Sequence, residues 1–175
     1  MRTLILGGVR SGKSRMAEQL ALASGQPVTY VATARADDDE MLRRVEQHRR
    51  RRPAGWDLIE AGDDLAARLQ EAAAPDRCLL IDCLTLWLTQ LLCTEDEAHI
   101  EREREALIAT LPTLPGSIIA VSNETGLGVV PLDALSRRFA DEAGALHQRL
   151  AADLDRVVLT VAGLPHVLKG PIVNA

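Results

Sequence analysis

Eight residues near the N-terminus, GGVRSGKS at 7–14, have the spacing G-x-x-x-x-G-K-[ST]. They follow an apolar run and open a helical pattern, the context in which such a loop turns backbone N–H groups toward phosphate oxygens. Gly7, Gly8 and Gly12 permit that turn, and the helix N-terminus behind them adds partial positive charge. Lys13 is spaced to reach β- and γ-phosphates, and the Ser14 hydroxyl to ligate Mg²⁺. Asp82 closes the apolar run CLLID, where a carboxylate can hold the same ion directly or through water. This set predicts binding of a nucleoside triphosphate with Mg²⁺.

A second constellation, EQHRRRRPAGW at 46–56, sets His48 directly before Arg49, Arg50, Arg51 and Arg52. Met41, Val45 and His48 are four and three apart, which puts the imidazole on an inward-facing helical stripe. Adjacent guanidinium groups disfavour the imidazolium and so favour the neutral, nucleophilic ring. The same cations could hold a polyphosphate under attack. Spacing alone leaves two readings open: a phosphorus-attacking histidine among phosphate clamps, or a histidine on a solvated, charged helix end. His99, His147 and His166 have no acid or cysteine at ligand spacing and are assigned to surface or core, which argues against a His/Cys metal site.

These residues need elements to hold them. TLIL at 3–6, PVTYVAT at 27–33, DLIE at 57–60, RCLLIDC at 77–83, GSIIAVSN at 116–123 and DRVVLTVAG at 155–163 read as strands. Segments 13–23, 37–52, 63–73, 84–92, 95–111 and 133–154 read as helices, the last with Leu135, Phe139, Ala143, Leu146, Leu150 and Leu154 along one stripe. Met16, Leu20 and Ala23 share a face of the first helix, and Gly144 inside the last predicts a close contact. The glycine-bearing stretch ETGLGVVP at 124–131 follows a strand end. It either contacts a ligand or is a structural loop, with Glu124 a candidate general base. Strands alternating with helices predict one α/β domain over 1–175, a mainly parallel sheet covered on both faces.

Composition narrows the partners. At 175 residues the chain fits a single domain, and 47% hydrophobic content suffices for its core. A net charge of -5 and 2% aromatics lack the basic footprint and stacking surfaces of a nucleic-acid binder. Three cysteines without a CxxC pair, and an N-terminal apolar run too short for a signal or span, predict a cytoplasmic protein off the membrane.

Taken together, LILGGVRSGKSRMAE, YVATA, DDEMLRRVEQHRRRRPAGW, LLIDCLTLWLTQLL, VSNETGLGVVP, RRFADEAGALHQRLA and VVLTVAGLPHVLK resemble, in order and over nearly the whole chain, the bifunctional adenosylcobinamide kinase/adenosylcobinamide-phosphate guanylyltransferase family. The resemblance implies a RecA-like P-loop NTPase fold and a homotrimer. It implies phosphorylation of adenosylcobinamide by ATP or GTP, then GMP transfer from GTP to adenosylcobinamide phosphate through a guanylyl-histidine. The matching histidine is His48. GTP contacts are implied at Gly7, Gly8, Val9, Arg10, Ser11, Gly12, Lys13 and Ser14, at Ala32, Thr33 and Ala34, at Arg49, Arg50, Arg51 and Arg52, and at Glu60 and Asp82. Where some relatives carry two adjacent histidines, this chain has Gln47-His48. One triphosphate cannot easily offer its γ- and α-phosphorus in a single pose, so the helix bearing His48 is expected to move about residues 30–38. Two rival readings keep the phosphate loop: a small-molecule kinase without nucleotidyl transfer, and a non-enzymatic nucleotide-dependent switch.

Overall fold

A computed structural model describes residues 1–34, 53 and 55–172. The predicted helix over 37–52 therefore lies outside the described residues. The strands are β1 (Arg2–Gly7), β2 (Val28–Ala32), β3 (Asp57–Glu60), β4 (Cys78–Asp82), β5 (Ser117–Asn123), β6 (Arg156–Val161) and β7 (Leu164–Lys169). The described helices are α1 (Lys13–Ala23), α2 (Leu65–Ala72), α3 (Leu84–Leu92), α4 (Glu97–Thr110) and α5 (Ala134–Asp153), with a 3₁₀ turn at Leu111–Thr113. The strands form one seven-stranded sheet in the order β3-β2-β4-β5-β1-β6-β7. Every neighbouring pair is parallel except β6–β7, which is antiparallel.

Strand residues alternate between the two faces of the sheet, so each central strand feeds two cores. Leu4, Leu6, Val31, Leu79, Ile81, Ile118 and Ala120 pack with Leu65, Leu69, Trp87, Leu91, Leu107, Leu146 and Leu150 of α2–α5. Ile5, Tyr30, Leu80, Ile119, Val121 and Val158 pack on the other face with Met16, Ala17 and Ala21 of α1. Both faces are covered, which is why these strands read as continuous apolar runs.

Three local expectations need correction. The α1 core face is Met16, Ala17 and Ala21, with Leu20 half-buried and Ala23 exposed. The stripe along α5 is buried from Ala143 through Leu154, with Phe139 packed at the core's edge, whereas Leu135 is 55% exposed. A Cβ on Gly144 would meet nothing within 4 Å, so no close contact selects that glycine. The antiparallel β7, which no pattern announced, follows a tight turn at Ala162 and Gly163, both with positive φ (51° and 81°).

Candidate active site at the C-terminal edge of the sheet

Parallel strands deliver their C-terminal ends to one edge, where ligands of open α/β sheets bind. The register puts Ala32 between Glu60 and Asp82, and Gly7 between Asn123 and Thr160. Residues far apart in the chain thus reach one rim.

The loop after β1 folds as its glycines require. Ser11 N donates to Gly8 O at 3.2 Å, and Met16 N to Gly12 O at 3.0 Å. Gly12, at φ 97°, begins α1 without a side-chain cap, so first-turn N–H groups stay available to an anion. A Cβ on Gly7 would lie 2.4 Å from Ser11 Oγ and 2.7 Å from Thr160 O. Lys13 Nζ folds back to donate to Gly8 O at 3.1 Å, which keeps the ammonium over the loop. Val9 and Arg10 are exposed at the lip, with Arg10 at φ 57°. From the opposite side, Gly163 N of the β6–β7 turn donates to Ser11 O at 2.8 Å.

Beside this loop stands Asp82, half-buried at the end of β4, whose Oδ2 accepts from Tyr30 OH at 3.1 Å. Tyr30 gave no signal of this role beyond its place in a strand; only the β2–β4 pairing brings the phenol to the carboxylate. Burial, reinforced by the charge of Asp82, pushes the Cys83 thiol up to about 11, with Lys13 pulling the other way.

Thr33 is fully buried. Its Oγ1 accepts from Cys83 N at 2.8 Å and donates to Cys83 O at 2.7 Å, and Gln90 Nε2 donates to Thr33 O at 2.8 Å. The Thr33 hydroxyl is thereby committed to tying β2 to the turn after β4. Residues 30–33, expected on the hinge side of a moving helix, are pinned by strand pairing and by this clamp. Ala32 and Ala34 are half-buried, and Glu60 is exposed at the end of β3. His48, Arg49, Arg50, Arg51 and Arg52 lie outside the described residues.

The histidines assigned to surface or core have more partners than spacing suggested. His99 sits 3.6 Å from Asp63 and 3.8 Å from Glu103, the latter one helical turn on. His147 is buried against Ser122. Among the described residues no group of three or more His, Cys, Asp or Glu side chains is arranged to hold a metal ion.

The residues present fit a nucleoside triphosphate with Mg²⁺. The loop packs too closely at Gly7 for any Cβ, and Ser11 Oγ is buried there without a hydrogen-bond partner among the described residues. The Ser14 hydroxyl and the Asp82 carboxylate are the hard oxygen donors that Mg²⁺ prefers, most of its remaining ligands being phosphate and water.

The sequence and the fold both have counterparts among known proteins. Residues 3–168 match the family described as cobinamide kinase / cobinamide phosphate guanyltransferase. The chain is 61% identical over 170 residues to the bifunctional adenosylcobalamin biosynthesis protein CobP of Pseudomonas aeruginosa, covering 97% of this chain and 98% of that protein. It is 40% identical to CobU of Salmonella typhimurium, covering 94% and 97%. A solved structure from Pyrococcus horikoshii OT3 shares the fold at a TM-score of 0.55 and 10% identity, over 98% of this chain and 87% of that one.

Proposed function

The chain belongs to the cobinamide kinase / cobinamide phosphate guanyltransferase family, and we propose that it carries out both reactions, on adenosylcobinamide and then on adenosylcobinamide phosphate. The observation that carries the reading is the glycine cradle with Lys13 at one rim of the sheet, next to the Asp82–Tyr30 pair. The enzyme works as a cytoplasmic homotrimer; no described helix is long and apolar enough to cross a membrane.

In the kinase step the substrate hydroxyl attacks the γ-phosphorus of ATP or GTP. A new P–O bond forms, the β–γ bridge breaks, and the nucleoside diphosphate leaves. Lys13 moves from Gly8 O to the β- and γ-phosphates, and the α1 N-terminus and the Gly7–Gly12 amides hold them in place. Mg²⁺, held by Ser14 and Asp82, would neutralise phosphate charge there. Glu124, at the edge of the cradle, is the candidate to accept the hydroxyl proton.

In the second step the His48 imidazole attacks the α-phosphorus of GTP and pyrophosphate leaves, drawn by Arg49, Arg50, Arg51 and Arg52. A phosphate oxygen of adenosylcobinamide phosphate then attacks the guanylyl-histidine, giving adenosylcobinamide-GDP and the free imidazole. Two in-line displacements predict retention at phosphorus and ping-pong kinetics.

The test uses GTP labelled at the α-phosphate. Wild type should retain acid-labile label on the protein. His48→Asn should lose the label and guanylylation by about 10³-fold or more, with phosphorylation of adenosylcobinamide within about threefold of wild type. Unlabelled wild type with intact kinase activity would favour a small-molecule kinase. Loss of both activities in a folded His48→Asn protein would refute the division of labour.

A further inference from the structure

Beneath the rim of the cradle runs a buried polar chain that the scheme above leaves unused. His147 of α5 is 6% exposed, and its Nε2 lies 2.8 Å from Ser122 Oγ near the end of β5. Ser122, 2% exposed, lies 3.3 Å from Thr85 Oγ1 in the first turn of α3. Thr85 Oγ1 accepts from Asn123 N at 2.7 Å. The next amide, Glu124 N, donates to Gly7 O at 3.1 Å.

Of the two senses this chain can take, one leaves the imidazole uncharged. Asn123 N–H donates to Thr85, the Thr85 hydroxyl to Ser122, and the Ser122 hydroxyl to His147 Nε2. In that sense the imidazole is an uncharged acceptor of the Ser122 proton. Burial, lowering the His147 pKa against the pull of Glu124, favours the same form.

The chain joins α5, β5 and α3, and α3 begins two residues after Asp82. It ends on Asn123, which pairs in register with Gly7, the first glycine of the cradle. Asn123 Oδ1 is buried with no hydrogen-bond partner among the described residues. Glu124 is anchored to the same glycine by its backbone and to Gly126 N through Oε1 at 2.7 Å. On the β5 side of the sheet, these two residues flank the start of the phosphate loop.

We infer that His147 is a positioning residue for phosphoryl transfer: through Ser122 and Thr85 it fixes Asn123 and Glu124 beside Gly7, where the acceptor hydroxyl meets the triphosphate. A purely architectural histidine would affect folding and nucleotide affinity together. A positioning histidine changes the transfer rate and leaves nucleotide binding, which belongs to the cradle and α1, intact.

This inference rests on the kinase reading, and its test separates the two. Phosphorylation of adenosylcobinamide is followed in wild type, His147→Leu, His147→Gln and Ser122→Ala, with nucleotide Kd measured by equilibrium titration and folding by circular dichroism. Gln Oε1 reaches about as far as His Nε2 and accepts the same proton. His147→Leu and Ser122→Ala should lower kcat about tenfold or more with Kd within about twofold, and His147→Gln should return kcat to within about threefold. A glutamine variant no better than leucine, or kcat and Kd worsening together in folded Ser122→Ala, would overturn the positioning role. If His147→Leu does not fold, the glutamine and Ser122→Ala variants decide. Wild type without turnover would remove the kinase reading and this inference with it.

Discussion

At the scale of single residues, the rim is built from side chains whose neighbours dictate their state. Cys83 follows Asp82 and is sealed by the Thr33 hydroxyl, which accepts its amide and donates to its carbonyl. Burial and the Asp82 charge both disfavour a thiolate, raising its pKa from 9.0 to about 11. The folded state then holds the thiol proton more tightly than the unfolded chain does. The associated stability is complete below about pH 9 and is lost as pH rises toward about 11. Urea unfolding between those limits should show stability falling by at most about 1.4 kcal/mol per pH unit from this group. Cys83→Ala should flatten that slope; an unchanged slope would mean other groups set it. The phosphate loop and Asp82 were legible because their chemistry is written in contiguous spacing and a strand end. Tyr30, Ser122, Thr85 and His147 were not, because each acquires its partner across the sheet or from a helix packed upon it.

Among the elements, the β6–β7 hairpin shows how a late structure shapes an early one. Its turn donates Gly163 N to Ser11 O, and a Cβ on Gly12 would lie 3.0 Å from Gly163 Cα. Gly12 also holds φ 97°, in the left-handed region. Gly12→Ala should therefore lose about 2–3 kcal/mol from strain and overpacking combined. Gly163→Ala, at φ 81° with nothing within 4 Å of the added Cβ, should lose only about 1–2 kcal/mol from backbone strain. Urea denaturation of both variants checks the order, and equal losses would dismiss the close approach of the two backbones. The parallel strands were readable as apolar runs because both their faces are buried. LPHVLK was passed over because an edge strand buries little and carries Pro165 and His166. The signal that could have found it is the short Ala-Gly turn after a β-branched run.

For the whole molecule, the exposed apolar residues stand out. Leu127, Val129, Val130, Leu132 and Leu135 are all exposed within one short stretch after β5, a denser run of exposed apolar side chains than elsewhere among the described residues. Exposed apolar side chains clustered in this way mark contact with another molecule more often than open water. A homotrimer predicts a light-scattering mass of three times 19.0 kDa at micromolar chain concentration; a mass of one chain would refute it.

The position of β1 has a further consequence. It precedes every other described strand in the sequence, yet it sits between β5 and β6 and pairs with both. During synthesis β1 must therefore wait, without its sheet neighbours, until β5 and β6 have emerged. The glycine cradle behind β1 gains its flanking strands only once β6 has been made.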